Sequence, residues 1–303
     1  MDHRPILVIG GTGHYGRMIV RRLHQTGETG SRVRVMSRNA REARKVVGGD
    51  VEIVEGDLMS RSSISEAVKG AGSMIISVSA LNFKLARLLR AVERDAVLVA
   101  LEEARKAGVT RVVYLSGYEL RPALIEELKF ELGRIKLEVE AAVSQSDFNW
   151  TILGAGFSME IFFAMLRGKQ MMVPGGGPPG LPAISPVDVG EIASQTVHRQ
   201  DLGGKRIRMT GPEALSFPEA ARRISAVLGR PIRYRSIPVL PLKIAAVLSR
   251  PFNPFFRHLV ASVKLMNGFP QDLVASVPED HQRLRDTFDY VPVTLEMEVR
   301  RRR

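Results

Sequence analysis

The chain contains no cysteine. That excludes a disulfide framework, a thiolate zinc site and a cysteine nucleophile, and it is compatible with a reducing compartment, the cytoplasm being the expected one. Aromatic residues are scarce at 6%, and no nucleic-acid recognition motif accompanies the formal net charge of +12. The basic residues are spread along the sequence, so the charge reads as solvated faces plus contacts to an anionic cofactor, and no nucleic-acid partner is expected. No apolar run approaches the roughly 18 to 20 residues that cross a bilayer. The N-terminus enters an apolar stretch and then glycines too early for a signal peptide, and none is expected. The histidines, at positions 3, 14, 24, 198, 258 and 281, lack metal-ligand spacing, so no metal site is expected. Neither a Gly-x-Ser-x-Gly elbow nor a phosphate-binding Gly-Lys-Ser/Thr loop is present, which removes hydrolase and kinase readings.

What is present is the balance of a folded protein, with 303 residues, 45% of them hydrophobic and 25% charged. Strand-length apolar runs at 5–10, 32–37, 51–54, 73–78, 111–116 and 149–154 alternate with helix-period stretches. Tyr15, Met18, Ile19 and Leu23 recur at helical spacing, as do Leu128, Leu132, Ile135 and Val139. This alternation predicts an α/β fold, a Rossmann-type doubly wound parallel sheet with a smaller, mainly helical C-terminal substrate lobe. Residues 86–107 read as one long helix closed by Gly108. The breaker-rich segment 174–182 (PGGGPPGLP) reads as a loop near the cofactor or substrate. A helix at 188–197 and a strand at 205–210 suggest a return to the first domain. Further on, a helix at 216–228 capped by Ser216, a strand at 232–236 and helices at 240–249 and 255–266 follow. The expected division is 1–155 with 184–211 for the nucleotide-binding domain, and 156–183 with 212–303 for the substrate lobe.

The chemistry-bearing motif is Gly10-Gly11-Thr12-Gly13-His14-Tyr15-Gly16. It follows a strand and opens an amphipathic helix, the context in which glycines let main-chain N–H groups and a helix N-terminus approach a pyrophosphate. About 20 residues on, an acid would bind the ribose hydroxyls of NAD. Here the second strand ends Val35-Met36-Ser37-Arg38, with Arg41 close behind. A guanidinium pairs with a phosphate where a carboxylate would repel it, so NADP(H) is favoured over NAD(H).

With these segments the sequence resembles the NmrA-like branch of the atypical short-chain dehydrogenase/reductase superfamily. The resemblance rests on GGTGHYGRMIVRRL (10–23), VRVMSRN (33–39), VEIVEGDLMSRSSISEAVKGAGSMI (51–75), AGVTRVVYLSG (107–117), KLEVEAAVSQSDFNWTIL (136–153), GF (156–157) and ISPVDVGEIA (184–193). It implies that Asp57 and Leu58 flank the adenine, that the loop 77–80, with Val78 and Ser79, passes the cofactor, and that Gly156 and Phe157 lie by the nicotinamide. It further implies that Lys136 holds the nicotinamide ribose and that Ser116 binds a substrate carbonyl. The superfamily's catalytic tyrosine, four residues before the lysine, is Leu132 here, and its Arg-Pro after the sixth strand is Gly154-Ala155. Lys136 could then act as acid/base itself, another group such as Tyr118 could substitute if its loop folds toward Lys136, or the protein could be non-catalytic.

The leading expectation is an NADPH-dependent oxidoreductase acting on a small apolar carbonyl, quinone or activated alkene. The alternative is a non-catalytic NADP(H)-binding redox sensor or assembly scaffold, since such folds bind nucleotide without needing chemistry. The stretch 237–269, apolar with Lys243, Arg250, Arg257 and Lys264 interspersed, reads as a helical lid over the substrate or as a surface that meets a membrane or partner. Arginines 300–303 read as a frayed tail or a weak attachment to acidic lipid.

Overall fold

The computed structural model describes residues 4–26, 32–48 and 50–302; His3 and Arg303 lie outside the described residues. The first half of the chain alternates strand and helix: β1 (Ile6–Ile9), α1 (Gly16–Thr26), β2 (Val33–Ser37), α2 (Ala40–Val47), β3 (Glu52–Glu55), α3 (Arg61–Val68), β4 (Ser73–Ile76), α4 (Ala96–Lys106), β5 (Arg111–Gly117), α5 (Pro122–Glu127), α6 (Glu131–Ser144) and β6 (Asn149–Ala155). A second group follows with β7 (Phe157–Ser158), α7 (Glu160–Ala164), β8 (Leu166–Arg167), β9 (Gln170–Pro174) and β10 (Leu181–Ile184). The chain then returns through α8 (Pro186–His198) and β11 (Lys205–Met209). It finishes with β12 (Ala214–Leu215), α9 (Phe217–Leu228), β13 (Arg233–Ile237), α10 (Leu240–Leu248), α11 (Phe255–Asn267), α12 (Gln271–Ala275), α13 (Val277–Thr287) and α14 (Leu295–Arg301).

The central sheet has seven strands in the order β11-β6-β5-β4-β1-β2-β3, every neighbour parallel. This is a Rossmann-type doubly wound sheet, with the order of strands reversing between β1 and β4. Its strands are apolar on both sides because both faces are covered. Ile6 and Val8 of β1 pack with Ile19, Leu23, Ile192 and Val197, while Leu7 and Ile9 pack with Ile64, Val97, Ala100 and Val139 on the opposite face. Loop ends at the C-terminal edge of such a sheet therefore converge on one crevice.

Local signals in the sequence explain the boundaries. Ser185 caps α8 by accepting the Val187 N–H, with Pro186 in the first turn, and Ser216 caps α9 by accepting the Glu219 N–H. Residues 86–107 depart from the expected single helix: a 3₁₀ turn at Ala86–Leu88 and a π-helical turn at Ala91–Asp95 precede α4. The reason is a buried acid, Glu93, which the wide turn carries to the backbone of Ala80. The second lobe is also richer in strands than its sequence suggests, with β8-β9-β13 and β7-β10-β12 forming two small sheets.

The 175–180 part of the glycine-proline segment is a loop, but it lines neither of the two cavities described below. It is packed within the second lobe, where Gly177 donates to Asn267 Oδ1 and a side chain at Gly177 would strike the Phe217 ring. As far as Arg301 the C-terminal tail is helical rather than frayed. Arg301 and Arg302 pair with Glu298, which is fully buried, and Arg302 also pairs with Glu160. Leu284, Phe288 and Tyr290 pack with the core of the first lobe, whereas Leu295 and Val299 pack with that of the second.

Candidate active site

β1 delivers the chain into the glycine turn. Gly10 sits at φ +79°, and a Cβ there would lie 2.3 Å from the Ser77 carbonyl oxygen; at Gly16 it would lie 2.0 Å from that of Gly10. The fold itself demands these glycines. Gly13 is different, because a Cβ would meet only Gly10 O at 3.0 Å and Ser77 O at 3.9 Å. Packing presses on Gly13 less than on Gly10 or Gly16, and a ligand approaching the main chain would add its own demand for a bare backbone. The N–H groups of Thr12, His14 and Tyr15 have no hydrogen-bond partner among the described residues. Together with the N-terminus of α1, whose first turn carries no acid, they make an anion cradle that fits a pyrophosphate.

A groove of about 620 Å³ runs from this turn along the ends of β2, β3 and β4. Ser37, Arg38, Asp57, Leu58, Val78 and Ser79 line it together with Gly10, Thr12 and Gly13. Arg38 is exposed and forms no hydrogen bond or ion pair among the described residues. The neighbouring acids are committed elsewhere: Glu55 accepts the Ala40 N–H at 3.0 Å and Glu42 holds Lys45 at 2.8 Å. Asp57 accepts the Met59 N–H at 2.9 Å, so it fixes its own turn as well as lining the groove. Arg41 does not line the groove.

A second cavity, of about 300 Å³, shares His14, Ser77, Val78 and Ser79 with the groove. Its walls are apolar, with Leu120, Leu124, Phe130, Phe157, Leu265 and Phe269 among them. Its polar end is built by β5 and α6. Ser116 Oγ is buried there and has no hydrogen-bond partner among the described residues. The Lys136 ammonium stands 2.9 Å from Glu93 Oε2, 3.5 Å from the Leu115 carbonyl and 5.1 Å from the ring centre of Tyr114. Burial penalises this ammonium, but the Tyr114 hydroxyl and the Glu93 carboxylate outweigh it, and the pKa is raised above the usual lysine value. Lys136 is therefore a buried, charged donor on the cavity wall.

Leu132, one helical turn before Lys136, lines the cavity with an apolar side chain. Tyr118 does not replace the missing phenol at Lys136. Its hydroxyl donates to Asp280 Oδ2 at 2.5 Å, and Asp280 also binds Arg208 at 2.9 Å, so the loop folds toward α13. Burial and the bond to Asp280 raise the Tyr118 pKa. The His14 side chain is likewise already engaged. His14 Nε2 lies 2.9 Å from Ser158 Oγ and its Nδ1 3.1 Å from Glu160 Oε2, which ties the glycine turn to the second lobe. Burial lowers the His14 pKa against the opposing pull of Glu160.

A family model described as the NmrA-like family matches residues 2–291. The chain belongs to the NmrA-like family. Among the relatives of this NmrA-like protein, an NAD(P)H azoreductase of Xenophilus azovorans is 28% identical over 235 residues, 77% of each chain. A photosystem II assembly factor of Synechocystis sp. is 26% identical over 257 residues, covering 83% of this chain and 75% of that one. The fold matches that of an NADPH-dependent quinone oxidoreductase of Escherichia coli complexed with NADPH, with a TM-score of 0.74, 17% identity and coverage of 98% and 99% of the two chains.

Set against the NmrA-like pattern, Gly156 and Phe157 both line the apolar cavity. Gly156 is also a packing glycine, since a Cβ would lie 2.1 Å from the Pro182 carbonyl oxygen. At the departed Arg-Pro position, a Cβ on Gly154 would lie 2.7 Å from Gly117 O, and Ala155 lines the cavity. Two groups at the site went unread in the sequence, Glu93 and Tyr114. The signal for Glu93 was available: an acid shares the apolar side of its segment with Leu89, Val97 and Ala100, all of them buried. Among the described residues no cluster of three or more His, Asp or Glu side chains is suited to a metal ion.

Proposed function

We propose that this protein is an NADPH-dependent reductase whose acceptor is a small apolar carbonyl, quinone or activated alkene. One observation carries the reading: a buried charged lysine and an unpartnered serine hydroxyl stand together at the polar end of an apolar cavity that opens on the glycine turn. The free amides of the turn suit a pyrophosphate, and Arg38 suits a 2′-phosphate. When bound, NADPH supplies a hydride. The apolar walls exclude water and hold a flat acceptor beside Phe157. As the acceptor oxygen gains charge, Ser116 Oγ and Lys136 Nζ would donate hydrogen bonds to it, and the proton that completes the reduction would pass from the Lys136 ammonium, which regains one from solvent, in a setting where such donors act strongly because water is excluded. Glu93 keeps Lys136 protonated and aimed, and Leu132 adds apolar wall where related enzymes place a phenol.

The test is NADPH oxidation followed by absorbance with a panel of quinones, aldehydes and enones, beside a Lys136→Ala control. Turnover at least about tenfold above that control is expected, within the range of a positioned proton donor. No turnover above the control would defeat the enzyme reading for that panel. The second reading, a nucleotide-occupied sensor or assembly scaffold, is favoured by Leu132 and by the commitment of Tyr118 to Asp280. It expects tight NADPH binding without turnover.

A further inference from the structure

The α10 helix contradicts its own composition. Its sequence, LPLKIAAVL, is almost entirely apolar, yet none of its residues is buried. Leu240, Ile244, Val247 and Leu248 are 63%, 50%, 71% and 69% exposed, and Phe252 in the turn that follows is 71% exposed. A lid over the substrate would bury such side chains. The cavity is instead closed by Leu265 of α11 and by Phe269, Pro270 and Leu273, while α10 lines neither cavity.

The apolar surface continues onto the segment that follows β4. The Phe83 ring, itself 55% exposed, meets the edges of Phe255 and Phe256 at 5.7 and 6.4 Å. Arg87 donates to the Phe252 carbonyl and Asn253 Nδ2 to the Phe83 carbonyl, so the two segments are fastened together. A contiguous exposed patch of this kind marks a binding face.

Charge identifies what the face meets. Between Glu219 and Asp272 the sequence holds nine lysines and arginines and no acidic residue. Of these, Arg230, Arg233, Arg235, Lys243, Arg250, Arg257 and Lys264 form no ion pair among the described residues. Lys84 next to Phe83 adds another cation. We propose that the face made by α10, the α10–α11 turn and Phe83 docks on an anionic lipid bilayer, with the apolar side chains entering the acyl boundary and Lys243, Arg250 and Lys84 of the same segments facing headgroups. A second copy of the chain fits poorly, because a two-fold contact would set this basic surface against itself. No helix among the described residues is long and apolar enough to cross a membrane, so the association is peripheral. Arg301 and Arg302 are not part of this face, since they are held by Glu298.

The experiment is sedimentation of the full chain with phosphatidylcholine vesicles, with and without phosphatidylglycerol, at low and high salt. Binding should require phosphatidylglycerol and weaken with salt, because each lysine or arginine near such a surface contributes about fivefold. Val247→Glu/Phe252→Glu should lower partition at least about tenfold, since two apolar anchors are lost. Lys243→Glu/Arg250→Glu should do the same on the anionic vesicles only. All four positions are outside both cavities, so NADPH titration should be unchanged in both variants, which separates failure here from failure of the reductase reading. Three results would overturn the proposal: no binding of the wild type to phosphatidylglycerol vesicles, equal binding by Val247→Glu/Phe252→Glu, or a wild-type dimer that this variant splits and that ignores vesicles.

Discussion

Replacing Glu93 with glutamine keeps the size of the side chain and removes its charge. In the native protein Glu93 is 1% exposed and Lys136 13% exposed, with 2.9 Å between their charged atoms. Removing one partner of a buried pair strands the other charge, which costs about 3–5 kcal/mol. The Leu115 carbonyl and the Tyr114 hydroxyl remain near the ammonium, and the carbonyl oxygen of the new amide can still accept from the Ala80 N–H, so the lower end, about 3 kcal/mol, is expected. Urea unfolding followed by the fluorescence of Trp150 and by circular dichroism measures it, with an unchanged dependence on denaturant showing that stability alone has moved. The pH dependence adds a second check. The folded-state pKa of Lys136 lies above its unfolded value, so its contribution is complete below about pH 10.4 and is lost as pH rises through the folded value. In Glu93→Gln, burial is no longer countered by the carboxylate and the proton is held less tightly. The gap between the two proteins should hold through neutral pH and narrow as pH rises beyond about 10.4. A loss below about 1 kcal/mol at neutral pH would refute the claim that this pair holds a charged lysine in place.

Arg38→Glu should weaken NADPH binding by roughly ten- to hundredfold while leaving NADH nearly unchanged, because only the former offers a phosphate to the guanidinium; an unchanged ratio by calorimetry would place the phosphate elsewhere. Gly13→Ala should cost little stability, since only Gly10 O crowds the new methyl, yet lower dinucleotide affinity; Gly16→Ala, whose methyl would sit 2.0 Å from Gly10 O, should unfold the turn outright by thermal melting. Asp188, buried at the start of α8, accepts the Val293 N–H, and burial pushes its pKa up to about 8. A carboxyl raised in this way stabilises the fold at low pH and loses that contribution as pH rises from about 4 toward the folded value. Asp188→Asn should remove up to about 6 kcal/mol of pH dependence between those limits. Parallel urea curves for the two proteins across that range would contradict the assignment.

Much of this architecture was legible because its signals are local. The strand runs of the central sheet are apolar on both faces, and the caps at Ser185 and Ser216 and the glycine after α4 lie where turn chemistry puts them. The short strands β7, β8 and β12 were not legible. With two residues each they carry no periodicity, and their pairing comes from distant segments. The 86–107 segment reads as an uninterrupted helix because all its residues suit one, and the π turn accompanies tertiary contacts of Glu93 with Ala80 and Lys136. Tyr118 is two residues from Ser116, yet its hydroxyl goes to Asp280, 162 positions away.

The residues alone specified a glycine turn between a strand and a helix and a cation where an NAD-binding protein would carry an acid, and the family resemblance marked a lysine without its usual phenol. The first two are matters of adjacency and spacing, which a linear chain displays directly. Three-dimensional folding decided which charges meet: that Glu93 accompanies Lys136, that Ser116 Oγ lacks a partner among the described residues, that Arg301 and Arg302 are occupied by Glu298, and that an apolar helix such as α10 stays outside. Ion pairing and burial depend on distance through space, and for these groups that distance is set by contacts between segments far apart in the chain.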